Sequence, residues 1–319
     1  DETRAMQLAG QVSLNNIPVH YSHVGGENIT LTFLALPFIK LLSLSSPLIF
    51  RFIALIFGLA FIVTAFYLVK KLFSKNTALI ACTLIAIWPW SVTASVIGYN
   101  VYLLPLIYSL AFLFFLLALD GKKIFYYLSS GLFAISFYTY SLSFIWVPIF
   151  LAVLFFIYYR KINLIHFSHS VLLLLILVIP ITLFFLKNQF HVVGLEQVLF
   201  FSIPNLDSVR FSNISVFALY DGIFIPLNYL LNYFLHFVLL FLSYNPKSGF
   251  IGFYFVYIWD VFFIVLGLAH CSRRFKSSRA CRLLVVWFFT YPLASSFVNA
   301  AAGFSFTRDI HSLILFIIL

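Results

Sequence analysis

The chain has 319 residues, of which 63% are hydrophobic and 9% charged, and its mean hydropathy is +1.08. A soluble domain carries about 25% charged residues, so the composition excludes that class and points to a polytopic membrane protein. The formal net charge of +10 would suggest nucleic acid in a soluble protein, but here the basic residues fall in short clusters between apolar runs, where they set topology; nucleic acid is set aside as a partner.

Asp1 and Glu2 head a polar run that reaches His23 and Glu27. In a chain with only 9 acidic residues, two adjacent carboxylates before a series of spans are a candidate catalytic feature. Leu31 to Ser43 is apolar but short and contains Pro37 and Lys40, which predicts an interfacial or partly embedded helix. Spans are predicted over Pro47–Val69, Thr77–Ile97 and Asn100–Leu119. Residues 124–159 are apolar for 36 positions, roughly 54 Å as one helix and nearly twice a bilayer core, so they predict a hairpin of two spans. Another span is predicted over Phe167–Leu186, and then the character changes: 187–250 is a large, polar-studded loop. Within it Leu227–Ser243 is apolar and is expected to be re-entrant or to lie on the surface. Spans over Ile251–His270 and Leu283–Ala302 follow, with a last apolar stretch ending at Leu319. The polar opening and apolar close lead us to expect further spans on either side.

Placing residues 1–46 outside as a first outer loop puts Lys70 to Lys75, Lys122-Lys123, Arg160-Lys161 and the cluster Arg273, Arg274, Lys276, Arg279 and Arg282 all inside, as the positive-inside rule requires. The loop 187–250 and Phe304 to Asp309 then share the outer side with Asp1 and Glu2. The three cysteines form neither a disulfide framework nor a spaced metal set, and none lies on the outer side. The expected setting is a multi-pass protein of a prokaryotic plasma membrane with its active site facing outside.

The outer polar residues suit one reaction class. A lipid-linked phosphosugar holds its phosphate at the membrane surface, where Arg or Lys pairs with it, and an Asp deprotonates an acceptor hydroxyl as general base. Asp1 and Glu2 are the catalytic candidates; Arg51 and Arg308 are phosphate candidates, although arginines at span ends also simply snorkel. His20, His23 and Glu27 with Asp1 are an alternative divalent-metal set that lacks a tight ligand spacing, so the metal is left unknown and no cofactor is certain. Asp260, near the outer end of its span, reads as a wet interfacial acid. Asn28-Ile29-Thr30 and Asn213-Ile214-Ser215 fit a glycosylation pattern that is weak at this chain length.

In sum the chain resembles the C-type polytopic glycosyltransferases, the branch of protein O-mannosyltransferases and bacterial aminoarabinose transferases in particular. Asp1-Glu2 looks like that family's acidic pair at the start of its first outer loop. Ser46 to Leu59 is similar to the stretch in which an Arg, here Arg51, opens the next span. Trp88-Pro89-Trp90-Ser91 through Gly98-Tyr99-Asn100 is similar to its Pro-Trp and Ser-Arg-x-Gly-Tyr-Asn segment, with Val96 where the family has Arg. Tyr138-Thr139-Tyr140, the segment Asn232 to Phe237 with His236, and Phe306 to His311 resemble later motifs. The resemblance implies an all-α, polytopic transmembrane bundle whose outer loops carry short interfacial helices, in one domain over 1–319. It implies a hexosyl- or pentosyltransferase of the cell envelope that takes a polyprenyl-phosphate sugar and inverts the anomeric centre, with a lipid, glycan or protein acceptor. Tyr99, Asn100, His20, His23, His236, Arg51, Arg308 and His311 are the implied substrate-binding positions. Two other readings stay open: an envelope-glycan flippase, polymerase or other transporter, and a non-catalytic scaffold. A transporter predicts midplane charge and an internal repeat, and neither is evident in the sequence.

Overall fold

The computed structural model describes residues 12, 17–19, 29–41, 48–190, 194, 196–198, 201–205, 224–242, 258–297, 315 and 318. Nearly all of these are helical. The helices are α1 (Thr30–Leu41), α2 (Leu48–Leu72), α3 (Lys75–Ile87), α4 (Pro89–Val96), α5 (Leu104–Ala118), α6 (Ile124–Thr139), α7 (Ser143–Tyr158), α8 (Leu164–Phe190), α9 (Phe224–Leu242), α10 (Ile258–Arg273), α11 (Arg279–Thr290) and α12 (Pro292–Ser295). Among the described residues, four helical stretches are long and apolar enough to cross a membrane: Leu48–Leu72, Asn100–Ala118, Ser143–Lys161 and Leu164–Asn188. The bent pair α3 and α4 makes a fifth if it is one span. Along α2 the exposed side chains include Phe52, Leu55, Ile56, Leu59 and Val63, a face that water would penalise and lipid would not. The chain is an integral membrane protein.

Local chemistry sets the helix boundaries. Ser74 caps α3, its hydroxyl accepting from the Thr77 N–H at 3.2 Å. Gly121, at φ +94, lets the chain leave α5 in the left-handed region that a side chain would resist. The apolar stretch 124–159, predicted as two spans, is two helices, α6 and α7, parted at Tyr140–Leu142; of these the stretch Ser143–Lys161 is long enough to cross a membrane, while Ile124–Thr139 is shorter. The single span predicted over Thr77–Ile97 is corrected: the chain breaks at Trp88, and α3 and α4 meet at 62°. Pro89 is the cause, because it drives the residue before it out of the helical region, and Trp88 is extended at ψ 121. Of the span predicted over Leu283–Ala302, α11 starts earlier, at Arg279, and runs to Thr290, α12 follows from Pro292 to Ser295, and 298–302 lie outside the described residues. The helix α8 runs through Lys187 to Phe190, a turn beyond the apolar stretch that predicts its end.

Two compact units divide the chain. The first combines Asp1–Thr64, Val92–Ser141 and Asn163–Arg210. Its centre is α6, packed against α5 on one side and α8 on the other. Leu31, Ala35, Phe50, Ile53, Leu103 and Ile107 form a core in which α1 and α2 meet the start of the third span. At the end carrying Lys122 and Lys123, the Tyr126 hydroxyl accepts from the Asn163 N–H at 3.2 Å, and Phe115, Tyr126 and Phe167 meet edge to face. At the other end Tyr138 donates to the Leu177 carbonyl at 2.7 Å, close to Pro180, where α8 lacks an N–H. Among the described residues the unit also has three two-residue strands: β1 (Ile17–Pro18) pairs parallel with β3 (Phe201–Ser202), and β2 (Gln197–Val198) pairs antiparallel with β3.

The second unit holds Ala65–Ser91, Leu142–Ile162 and Phe211–Leu319. Trp146 and Phe150 of α7 stack with Trp287 of α11, with ring centroids 4.9–6.2 Å apart. The helix α9 lies beside α11 and α12 and runs antiparallel to them. Tyr229 donates to the Leu293 carbonyl at 2.7 Å, Tyr233 to the Phe289 carbonyl at 2.8 Å, and Phe237 packs on Phe288 and Tyr291. Arg282 holds the basic turn, donating to the carbonyls of Phe275 and Lys276.

Candidate functional site

Among the described residues of the first unit, several polar side chains meet at the start of α1. A helix N-terminus leaves its first N–H groups without partners. Here the Leu31 N–H donates to the Asn100 Oδ1 at 2.8 Å, across 69 residues of sequence. The Thr30 and Thr139 hydroxyls, both buried, are hydrogen-bonded at 3.0 Å, and Ile29 packs against Phe33 and Tyr138. Lys40, in the last turn of α1, donates to the Val12 carbonyl. Three contacts therefore hold the start of α1, and Lys40 ties its last turn to Val12.

This gives Asn100 a structural task beside the substrate-binding role inferred from sequence. Replacing it by Leu strands the buried Leu31 N–H at a cost of about 1–3 kcal/mol. The expected result is a lower unfolding midpoint and a loosened first loop, read by hydrogen exchange at Thr30–Phe33. An unchanged midpoint would remove Asn100 from that role. Tyr99 is half exposed and meets Tyr102 edge to face, with ring centroids 5.7 Å apart. Arg51 is exposed in the first turn of α2, whose Phe50 and Ile53 are buried. The Thr30 hydroxyl of the first glycosylation pattern is engaged inside the protein.

A second set of contacts ties the same end to α8. The Val19 N–H donates to the Ser202 carbonyl at 3.1 Å, which extends the β1–β3 pairing to the residue before His20. The Lys187 Nζ donates to the Ile203 carbonyl at 2.8 Å, and Asn188 Nδ2 donates to the carbonyls of Phe184 and Pro204 at 2.9 and 3.1 Å. Lys187 is only 6% exposed. Sequence reasoning counts it among the polar loop residues; its burial depends on a three-strand patch too short to leave a periodic signal.

His236 belongs to the second unit. It is buried on the face of α9 that also carries Asn232, whose side chain donates to the Ser296 carbonyl at 3.5 Å. Asp260 sits in the first turn of α10, where a carboxylate complements the helix dipole. Asp1, Glu2, His20, His23, Glu27, Arg308 and His311 lie outside the described residues. Among the described residues no group of three His, Cys, Asp or Glu side chains is placed to hold a metal ion.

Solved structures share this arrangement of helices. The crystal structure of the Archaeoglobus fulgidus oligosaccharyltransferase in the apo form matches 100% of this chain with a TM-score of 0.58 at 17% identity. The chain shares the fold of part of that enzyme. The same enzyme tethered to an acceptor peptide containing the NVT sequon matches 99% of the chain with a TM-score of 0.59 at 17% identity. The archaeal oligosaccharyltransferase AglB in complex with an inhibitory peptide and a dolichol-phosphate matches 99% at 0.58 and 16% identity. This chain spans less than half of each, 46%, 43% and 44% of their lengths. No family model and no curated protein sequence matches the chain. The all-α polytopic bundle implied by the sequence resemblance is the fold the chain has. The O-mannosyltransferase and aminoarabinose branch named there is not the one these likenesses single out.

Proposed function

We propose that the protein is a membrane glycosyltransferase that moves a sugar from a lipid-linked phosphate donor to an acceptor hydroxyl or amide, with Asp1 as the base. The observation that carries this reading is the match of the whole chain to an oligosaccharyltransferase whose structures include one with a dolichol-phosphate and one with an acceptor peptide. The chain covers less than half of those enzymes, so donor, acceptor and sugar are assigned here by chemistry alone. A polyprenyl-phosphate sugar presents its anomeric carbon at the headgroup level, where a base on an outer loop would meet it.

Asp1 takes the acceptor proton as the acceptor atom attacks the anomeric carbon. The bond from that carbon to the phosphate oxygen breaks, and polyprenyl phosphate leaves. Attack from the face opposite the phosphate inverts the anomeric centre. Another of the matched structures is an oligosaccharyltransferase complex with Zn and sulfate, which supports keeping the set Asp1, His20, His23 and Glu27 as an alternative place for a divalent ion.

The test is transfer of radiolabel from a panel of polyprenyl-phosphate sugars to lipid, glycan and peptide acceptors by the membrane-inserted protein. Transfer from at least one donor supports the reading. A folded, inserted protein that accepts no donor passes the lead to the transporter or scaffold readings.

A further inference from the structure

Among the described residues Lys187 is the one Lys, Arg, Asp or Glu that is buried. An ammonium has three N–H donors, and the Ile203 carbonyl at 2.8 Å takes one of them. Among the described residues no carboxylate pairs with it. The C-terminal end of α8 supplies about half a negative charge, which leaves a buried cation incompletely balanced, and buried charges persist only when paired.

The height of Lys187 points to the missing anion. Tyr138, next to the last residue of α6, fixes the level of Leu177 on α8. Lys187 lies ten residues further along, roughly 15 Å up the helix axis, at the end of the stretch Leu164–Asn188 that is long and apolar enough to cross a membrane. There the Ile203–Pro204 segment, pinned by Lys187 and Asn188, covers the last turn of α8. The end of a stretch long enough to span the hydrocarbon core comes to the level of lipid phosphates rather than of acyl chains.

We propose that Lys187 holds a phosphate, that of the lipid-linked donor, through the two donors left after its bond to Ile203. The inference rests on the function proposed above and adds a residue to it. Asn188 and Ile203 act as positioning groups: they fix the last turn of α8 and one of the ammonium's three directions, so that the other two face the phosphate.

The probe is polyprenyl phosphate, titrated onto the purified, detergent-solubilised protein, with uncharged polyprenol, inorganic phosphate and phosphatidylglycerol in parallel. The expected result is that polyprenyl phosphate binds Lys187→Gln at least tenfold more weakly than wild type, that Lys187→Arg recovers most of the loss, and that polyprenol does not distinguish the three. Equal binding of polyprenyl phosphate by wild type and Lys187→Gln overturns the proposal. Lys187-dependent binding of inorganic phosphate or phosphatidylglycerol, with none of polyprenyl phosphate, overturns the donor assignment.

A measurement on the wild type covers the case in which Lys187→Gln fails to fold. A polyprenyl phosphorimidazolide transfers its phosphoryl group to an amine in reach, forming a P–N bond and releasing imidazole. Mass spectrometry should find the adduct on Lys187; adducts confined to other lysines overturn the proposal. Label transfer that proceeds with an unchanged donor KM in Lys187→Gln sinks this inference alone, whereas absence of transfer by the wild type sinks the function on which it rests.

Discussion

Asp1→Asn is expected to lower label transfer by a hundredfold or more while leaving insertion and donor binding unchanged. A positioned general base contributes about 10²–10⁴ in rate, and the amide keeps the size and much of the hydrogen bonding of the carboxylate while losing its basicity. The effect should fall on kcat with KM nearly constant, because the proton moves only in the transition state. Glu2→Gln, one residue away, should cost less. If the two substitutions cost the same, the acidic pair acts as a unit, and the assignment of the base to Asp1 alone fails. If neither matters, the first loop does not carry the chemistry.

The second large effect is one of packing. A Cβ built on Gly58 of α2 would stand 2.6 Å from the Ser95 Cβ and 3.4 Å from its Cα. Real Cβ atoms do not come that close, and the neighbour is partly backbone, so a side chain at 58 must push α4 away. Gly58→Leu is expected to destabilise by about 3 kcal/mol, the upper end for overpacking, although Gly to a better helix former would by itself stabilise an open helix by about 1 kcal/mol. The sign is therefore informative. A chemical or thermal unfolding midpoint well below wild type supports the close approach, and a midpoint at or above wild type contradicts it. Ser95→Gly in the same chain should recover part of the loss, since neighbouring sites couple. The displacement would also reach Tyr99 and Asn100, which follow α4 directly, so transfer should fall with stability.

Much of the bundle was open to reading because the membrane imposes long apolar stretches and puts basic clusters at one end. The 36-residue apolar stretch from 124 to 159 is too long for one span, and the chain does divide there into two helices, α6 and α7. The break at Trp88-Pro89 was written in the sequence as well, but hydropathy over a window of 20 residues smooths across a proline. The candidate site was less legible. Asn100 belongs to a segment the resemblance singles out, yet its bond to the Leu31 N–H joins residues 69 apart and leaves no local pattern. Lys187 reads as the first polar residue of a loop; only strands of two residues, pairing across more than 180 positions, bury it. His236 reads as an outer-loop histidine, whereas the 3.6-residue period puts it on the same face of α9 as Asn232, packed toward α11 and α12.

The central claim is that a sugar leaves a lipid phosphate and is bonded to an acceptor, rather than being carried across the bilayer on its lipid. The most direct measurement uses the protein in sealed proteoliposomes with a doubly labelled donor, one label in the sugar and one in the polyprenyl phosphate, and counts both products. The account predicts free polyprenyl phosphate appearing one for one with glycosylated acceptor, and neither appearing with Asp1→Asn. Both labels moving together to the opposite leaflet, still on one molecule and with no polyprenyl phosphate released, would contradict it.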